Sequence, residues 1–309
     1  MALKLSGDDC MGSAVVGIIR IFFVLFIIFM WPLAASAHEP LFSLGPRTIY
    51  KGGIGIEFKT GLLSKSKLFQ NGDEISDAKD QAATRLVFSS EIIYGVTRDL
   101  AITAQIPVVY RRFEETISGI REKRSSSGLG DVSLRSKTRF WRRDTLGVQE
   151  SAAIILGIKL PTGDEKVALP LGSGSTDFLF GLTAAHEGRR LYLFGDLRYK
   201  LNTEANNRSQ GDVFFYDAAL GFRPVLTDYY RPDLVLLLEM NGEIGRKDKF
   251  LGVSNANSGG EILWVGPNFL LSYRNLMLKG GVRFPVVQDL NGTQLAADYE
   301  GVVAVESHY

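Results

Sequence analysis

The most constraining feature of the sequence is an alternation of apolar and polar side chains with a period of two residues. It is clearest in Gly128–Trp141, where Val132, Leu134, Thr138 and Phe140 are interleaved with a polar series: Asp131, Ser133, Arg135, Lys137 and Arg139. Because successive side chains of a β-strand point to opposite faces, this period predicts a strand with one apolar and one charged face. In a transmembrane β-barrel the apolar face contacts lipid, the polar face lines the lumen, and segments of about ten residues repeat along the chain.

Twelve segments of this kind are separated alternately by short turns and by long polar loops. We expect strands at Tyr50–Leu62, Ala83–Val96, Leu100–Tyr110, Gly128–Trp141, Val148–Leu160, Thr176–Ala185, Arg190–Lys200, Asp212–Phe222, Asp233–Glu243, Glu261–Leu271, Leu276–Val286 and Asp298–Tyr309. The facing of the tenth strand is ambiguous, since both of its faces are apolar. The long loops are Ser64–Gln81, Arg111–Gly128, Pro161–Ser175, Asn202–Gln210, Gly245–Gly260 and Gln288–Ala297. An even strand count and alternating loop lengths are typical of bacterial outer-membrane barrels. The sequence therefore predicts an all-β fold, a transmembrane antiparallel up-and-down β-barrel of about 12 strands, over residues 49–309.

The N-terminus has the pattern of a secretory signal peptide. Arg20 precedes the apolar run Ile21–Trp31, and the small-residue stretch Ala34–Ala37 follows it. We expect residues 1–37 to be removed after Ala37, with Met1 or Met11 as the start, and residues 38–48 to form an irregular lead-in to the barrel. The single cysteine, Cys10, lies in the removed part. The alternative, an uncleaved anchor, fits less well because the apolar run is short for a spanning helix.

The side chains on the polar face carry balanced charge. Assigning them to the lumen predicts a pore lining that includes Glu57, Lys59, Arg135, Lys137, Arg139, Lys159, Asp196, Arg198, Lys200, Glu239, Lys279 and Arg283. A ring of one sign would predict ion selectivity, whereas balanced charges predict pairs that cross a narrow lumen. A barrel of about 12 strands lies between the filled 8-stranded barrels and the open 16-stranded porins. We therefore expect the lumen to be narrow, or plugged by the lead-in segment or by loops folded inward. A formal net charge of +1 gives no indication of nucleic-acid binding.

Few residues outside the lumen suggest chemistry. The sequence has three histidines, His38, His186 and His308, and the last two are predicted at a turn and at the C-terminus, away from the long loops. We therefore expect neither an enzyme nor a bound cofactor. His38 is a weak candidate for a metal ligand, because cleavage after Ala37 would place a free α-amine beside its imidazole. Two nitrogens make an incomplete metal site, so no metal is predicted there.

Three short motifs resemble a known family. Gly128–Asp131 (GLGD), Lys159–Asp164 (KLPTGD) and Gly172–Phe178 (GSGSTDF) are similar to the pattern of the outer-membrane family named for the meta-pathway of phenol degradation. That family comprises barrels described as transporters and is distantly similar to the long-chain fatty-acid and toluene transporters. The resemblance covers roughly Gly52 to the C-terminus and implies no ligand residues. From the residues alone, KLPTGD ends a strand at Pro161 and turns through Gly163, which indicates a feature of the rim.

These observations predict an outer-membrane barrel that admits small, hydrophobic or aromatic solutes by passive diffusion. The alternatives are a closed structural or surface barrel without transport and a metal-linked role through His38. The final strand alternates from Tyr299 to Tyr309 and ends on an aromatic residue. It resembles the terminal strand by which the barrel-assembly machinery recognises outer-membrane proteins, so we expect that machinery and outer-membrane lipid as partners. The solute is unknown from the sequence.

Overall fold

A computed structural model describes residues 39–228 and 230–309, all within one compact unit. The predicted signal peptide and His38 lie outside the described residues. Within the described part of the chain, no helix has the length and apolar character needed to span a bilayer.

Twelve long strands form a single antiparallel sheet that closes on itself. They are β1 (Ile54–Gln70), β2 (Ala82–Gly95), β3 (Leu100–Ile117), β4 (Ile120–Leu129 and Ser133–Thr145), β5 (Val148–Lys159), β6 (Asp177–Glu187), β7 (Leu191–Leu201), β8 (Val213–Phe222), β9 (Asp233–Gly245), β10 (Gly260–Tyr273), β11 (Leu276–Leu290) and β12 (Thr293–His308). Each strand pairs with the next, and β12 pairs with β1 from Gly55 opposite His308 to Gln70 opposite Thr293. The predicted twelve-stranded barrel is therefore confirmed.

The alternation predicted from the sequence separates the two faces of the barrel wall. On β9, Leu234, Leu236 and Leu238 are 37–51% exposed, whereas Val235 and Glu239 are at most 2% exposed. The outward set meets lipid and the inward set packs in the lumen. On β10, whose facing was ambiguous, Trp264 is buried inside and Phe269 faces outward.

The two ends of the barrel differ in their connections. Short turns such as 96–99, 146–147 and 274–275 lie at one end, which we call the short-turn end, and both Ile54 and Tyr309 lie there. The Ile54 N–H donates to the Tyr309 carbonyl (2.8 Å) and the Tyr309 N–H donates to the Ile54 carbonyl (2.7 Å). Longer connections lie at the opposite, long-loop end. The predicted segregation of loop lengths is confirmed in part, because the two-residue turns 118–119 and 291–292 also lie at the long-loop end and the connection 223–232 lies at the short-turn end.

Several predicted loops are hairpins that extend beyond the predicted strands. β1 continues through Gln70 and pairs with a short strand, Asp73–Ile75, while β3 and the first segment of β4 continue the sheet through most of the predicted loop 111–128. The predicted loop 288–297 is reduced to a turn at 291–292 between β11 and β12. Two further pairs of short strands, in the predicted loops 202–210 and 245–260, form a separate four-stranded sheet. These predictions were wrong because a hairpin that meets water on both faces has no apolar face and hence no alternation.

Local turn chemistry marks the hairpins that the alternation missed. Asn71 and Gly72 have φ of 49° and 88°, and Ser118 and Gly119 have φ of 52° and 79°. Two consecutive residues with positive φ make the two-residue turn that suits the twist of a hairpin. The dipeptide Asn71–Gly72 was therefore a usable hairpin signal. At the other end, Tyr50–Gly53 forms a turn rather than the start of β1, with the Gly53 N–H donating to the Tyr50 carbonyl (2.9 Å).

A carboxylate organises the loop that precedes β2 at the long-loop end. Asp77 accepts hydrogen bonds from the backbone N–H groups of Lys79 (2.9 Å) and Gln81 (2.5 Å). Burial acts to raise the pKa of the Asp77 carboxyl, but the two N–H donors outweigh that effect and hold the pKa below its usual range. The charged form of Asp77 therefore stabilises this loop.

Candidate functional site: an occluded barrel lumen

The predicted pore-lining residues face the lumen, and nearly all of them are ion-paired. The largest group surrounds Lys279, whose Nζ lies 2.7 Å from Glu57 and 2.6 Å from Glu306. Lys59 joins this group through Glu57 (2.9 Å), and Arg135 joins it through Glu91 (3.3 Å). These side chains tie together strands that are far apart in the sequence, so opposite charges fill this part of the lumen.

The remaining predicted residues are distributed over five separate contacts. Arg198 pairs with Asp196 (2.5 Å) and with Asp217, and Arg283 pairs with Glu300 (2.5 Å). Arg139 pairs with Asp99 (2.7 Å), which belongs to the short-turn end. Lys159 and Lys200 share Asp177, the latter at 3.7 Å. Lys137 and Glu239 contact the lead-in segment, and Glu239 also accepts a hydrogen bond from the Asn268 side chain of β10 (2.8 Å). Whether all twelve line a conducting path stays a prediction.

The lead-in segment, residues 39–48, lies inside the barrel. The Glu239 carboxylate of β9, which is fully buried, accepts hydrogen bonds from the backbone N–H groups of Leu41 (2.7 Å), Phe42 (3.2 Å) and Ser43 (2.8 Å). The Ser43 hydroxyl also donates to Glu239 (2.6 Å). Successive N–H groups that converge on one anion form a nest, and hydrogen bonds to a charged acceptor are the strong ones. A single lumen carboxylate thus anchors three consecutive residues of the segment.

Other wall residues hold the segment along its length. The Leu44 N–H donates to Asp196 (2.7 Å), and the Lys137 ammonium pairs with Glu39. The Arg283 guanidinium lies 4.6 Å from the centre of the Phe42 ring and 4.8 Å from that of Trp264, a cation–π sandwich. The lead-in segment was one of the plugs expected from the sequence, but HEPLFSLGPR has neither a period nor a recognisable motif from which these contacts could be predicted.

The space left beside the segment is small and polar. A cavity of about 210 Å³ lies between residues 39–49 and the inner faces of β1–β4, β7, β11 and β12, and Glu57, Lys59, Gln105 and Arg135 are among the residues that line it. On the opposite side the inner wall is apolar, with a buried cluster formed by Ala185, Tyr192, Phe194, Ala219, Val235, Leu237 and Leu270. The lumen is therefore occluded at this level, with one charged wall and one apolar wall.

The three motifs come together at the long-loop end. The Asp131 carboxylate of GLGD accepts hydrogen bonds from the N–H groups of Gly163 (3.0 Å) and Ser173 (2.8 Å), and Lys159 pairs with it (3.1 Å). The Thr162 hydroxyl donates to the Gly130 carbonyl (2.8 Å). These bonds fold the loop Pro161–Ser175 against β4 and β5. They give the physical reason for the interpretation of KLPTGD as a feature of the rim.

Glycine is required where the motif backbones meet. A Cβ on Gly172 would lie 2.3 Å from the Asp131 carboxylate and 2.9 Å from the Gly163 Cα. A Cβ on Gly163 would lie 2.8 Å from the Gly172 Cα. The glycines of KLPTGD and GSGSTDF therefore allow two backbone segments to touch, which is a structural role and not a phosphate-binding one.

The two described histidines each contact one carboxylate. His186 Nδ1 lies 2.9 Å from Glu150 on the outer face, and His308 Nε2 lies 2.6 Å from Glu306 inside the barrel. Glu150 has the outward parity of β5 and lies close to the short turn 146–147. Over residues 39–228 and 230–309, no three His, Cys, Asp or Glu side chains are grouped to hold a metal ion. The His38 candidate falls outside that range.

Comparison with known proteins agrees with this architecture. The family model described as "Putative MetA-pathway of phenol degradation" matches residues 78–284, which is more than half of the chain. The chain belongs to this family. The phenol-degradation family match includes all three motifs, so the resemblance stated from the sequence is confirmed. No curated protein matches the sequence.

Solved outer-membrane proteins are similar to this chain to different degrees. The COG4313 outer membrane channel from Pseudomonas putida F1 is 15% identical with a TM-score of 0.64, covering 90% of this chain and 100% of that one. The translocator domain of the autotransporter NalP from Neisseria meningitidis is 12% identical with a TM-score of 0.45, covering 100% of both chains. The CymD monoaromatic hydrocarbon channel is 7% identical with a TM-score of 0.40, covering 84% and 88%. The first of these establishes the outer-membrane barrel as the fold of this chain.

Proposed function

We propose that this protein is a channel of the bacterial outer membrane that admits small, hydrophobic or aromatic solutes by passive diffusion. The observation that carries the proposal is the lead-in segment inside a closed barrel, held by Glu239 through three backbone N–H groups. The segment fills the space through which a hydrated solute would pass, so the barrel does not act as a wide aqueous pore. Family membership and the fold of the Pseudomonas putida channel support this function.

The bonds that hold the segment suggest how it is controlled. They join backbone N–H groups to side chains of the wall, and Pro40 and Pro46 limit the regular structure that the segment can adopt. Loss of the Glu239 carboxylate would remove the acceptor for Leu41, Phe42 and Ser43 together. We expect the segment then to leave its position and the lumen to open.

Single-channel conductance of the mature protein in planar bilayers tests the proposal. We expect small conductance for the unaltered protein and at least about a tenfold increase for Glu239→Ala, because a wider aqueous path conducts more ions. Glu243→Gln is the matched control, since Glu243 also lies on β9 but contacts Trp264 (3.3 Å) rather than the segment. Uptake of radiolabelled toluene and of glucose into proteoliposomes then gives the solute class.

Three results decide between the functions. Toluene uptake above that of protein-free vesicles, with little glucose uptake, supports the proposal. Glucose uptake equal to toluene uptake in the unaltered protein would show a general porin. Absence of uptake in both the unaltered protein and Glu239→Ala, with the barrel correctly folded, would favour the closed structural barrel, which the paired lumen charges also suggest.

The proposal includes a location and an assembly route. The termini and short turns would face the periplasm, and the barrel-assembly machinery would recognise β12, which ends at Tyr309. Truncating the chain by its last two residues should then lower the amount of folded barrel in the outer membrane. An unchanged amount would contradict this route.

A further inference from the structure

Three cations at the long-loop end of the lumen differ from all the paired charges described above. Lys65 on β1, Arg85 on β2 and Arg111 on β3 have the same inward parity, and Arg85 lies directly opposite Arg111 in the β2–β3 ladder. Over residues 39–228 and 230–309, none of the three has an acidic group within ion-pair distance. Like charges on directly opposite residues destabilise a sheet unless something compensates them.

The surrounding residues do not supply that compensation. Glu243 acts through space on Lys65 and Asp131 acts through space on Arg111, but both carboxylates are engaged elsewhere, with Trp264 and with the loop Pro161–Ser175. The Arg111 Nε atom is fully buried and, among the described residues, has no hydrogen-bond acceptor. A buried donor without an acceptor is costly, so a ligand that supplied the acceptor would bind favourably here.

The cluster borders a cavity that also has an apolar wall. Its volume is about 300 Å³, and Leu63, Phe113, Leu169 and Pro170 line it together with the three cations and with Arg112, which is ion-paired with Glu114. Leu169 and Pro170 belong to the loop that the family motifs fold into place, and the Leu169 N–H donates to the Ser126 hydroxyl of β4 (3.0 Å). Small-ligand sites commonly combine such an apolar lining with a few polar groups that fix orientation.

We propose that Lys65, Arg85 and Arg111 form a binding site for a small amphipathic anion, an aromatic carboxylate being the chemical class that fits. Arg side chains present forked N–H donors that match a carboxylate, while the apolar wall accepts the ring. This inference rests on the proposed function, because it assigns a solute class to the lumen. A solute that enters from the long-loop end would therefore meet the anion site first and the occluding lead-in segment afterwards.

Equilibrium dialysis of the mature protein in detergent tests the site with radiolabelled benzoate as the probe. Benzyl alcohol is the neutral comparison of similar size, and inorganic phosphate is the competitor that lacks an apolar part. We expect saturable benzoate binding, at least about tenfold weaker binding in Arg85→Gln/Arg111→Gln, and weaker binding of benzyl alcohol. The conservative pair Arg85→Lys/Arg111→Lys should retain an intermediate affinity, since charge remains without the fork.

Arg142→Gln is the matched control. Arg142 lies on β4 next to the short turn 146–147, its side chain is 44% exposed and pairs with Asp144 (2.8 Å), and it is not among the residues that line the cavity. Its loss removes the same charge away from the site, so benzoate affinity should change by no more than about twofold. Heat-modified migration in gels verifies that every variant is folded.

Several outcomes would overturn the inference. They are equal binding of benzoate and benzyl alcohol, full retention of benzoate binding in Arg85→Gln/Arg111→Gln, equal loss in Arg142→Gln, and phosphate binding as tight as benzoate binding. Toluene uptake into proteoliposomes is measured on the same preparations. Failure of benzoate binding with toluene uptake intact rejects this site while the proposed function stands, and loss of both rejects the function as well.

Discussion

Replacing Lys279 by Met should destabilise the barrel more than any change to an exposed ion pair. The Lys279 side chain is 5% exposed and neutralises Glu57 and Glu306, whose side chains are each 6% exposed. Removing one partner of a buried ion pair typically costs about 3–5 kcal/mol, since the remaining charge stays buried without its counterion. Glu57 retains Lys59 at 2.9 Å, whereas Glu306 retains only His308 at 2.6 Å. Glu306 should therefore carry most of the cost.

The free energy of unfolding is measured by guanidinium titration of the mature protein in lipid vesicles, followed by tryptophan fluorescence. We expect Lys279→Met to lose about 3–5 kcal/mol and Lys279→Met/Glu306→Gln to recover a large part of the loss, because the unpaired carboxylate is removed. Lys67→Met is the matched control, since Lys67 pairs with Glu74 at 3.2 Å and both side chains are more than half exposed.

An exposed pair contributes at most about 1 kcal/mol, so the control should change little. Equal losses for Lys279→Met and Lys67→Met would refute the reasoning. So would the absence of recovery in Lys279→Met/Glu306→Gln, because the cost would then not come from the stranded carboxylate. Either result would show that water reaches this part of the lumen and screens the charges.

Three further predictions concern the loops and the wall. Asp131→Ala should increase protease cleavage of the loop Pro161–Ser175 at least about tenfold, because two backbone donors lose their acceptor; an unchanged rate in an intact barrel would contradict this. The depressed pKa of Asp77 means that its stabilisation of the loop is present above the ordinary Asp pKa of about 3.9 and is lost as pH falls through the lower folded value. NMR titration of the neighbouring backbone amides should thus show a midpoint below about 3.9, and a midpoint at or above it would reject the contact. Gly242→Ala should cost about 1–3 kcal/mol, because its Cβ would lie 2.0 Å from the Tyr216 ring, whereas Gly195→Ala, with 3.7 Å to the nearest atom, should be nearly neutral in the same guanidinium titration.

The strands of the barrel could be predicted from the sequence because lipid and lumen impose opposite chemistry on alternate residues. One example lies on β9, where Leu234, Leu236 and Leu238 face outward and Glu239 faces the lumen. A strand with water on both faces would not need apolar residues on one of them. The hairpin of β3 and β4 beyond residue 110 escaped the prediction for the same reason, since it leaves the bilayer and loses the alternation. Turn residues can still indicate such hairpins. Asn71–Gly72 after β1 and Ser118–Gly119 between β3 and β4 both adopt the positive φ that two-residue hairpin turns require.

The inward facing of the candidate site residues also follows from parity, but their partners do not. Lys279 on β11 contacts Glu57 on β1, although 222 positions separate them in the sequence. The contact exists because β12 pairs with β1 and so brings β11 close to β1 on one side of the lumen. A list of inward charges cannot distinguish Lys279, which has two ion-pair partners, from Arg85 and Arg111, which have none among the residues that the structure describes. Pairing depends on the shear and tilt of the closed barrel, and these are properties of the whole sheet.

Period two and short motifs were enough to predict the fold class, the number of strands, the family and the facing of every strand except β10, whose two faces are both apolar. Only the closed barrel shows which of the expected plugs occupies the lumen, namely the lead-in segment and not an inward-folded loop. The segment that precedes β1 has no regular period, and it becomes ordered by donating its backbone N–H groups to Glu239, a residue nearly 200 positions away. Such hydrogen bonds cannot be predicted from the local sequence, since every residue except proline carries the same backbone N–H group.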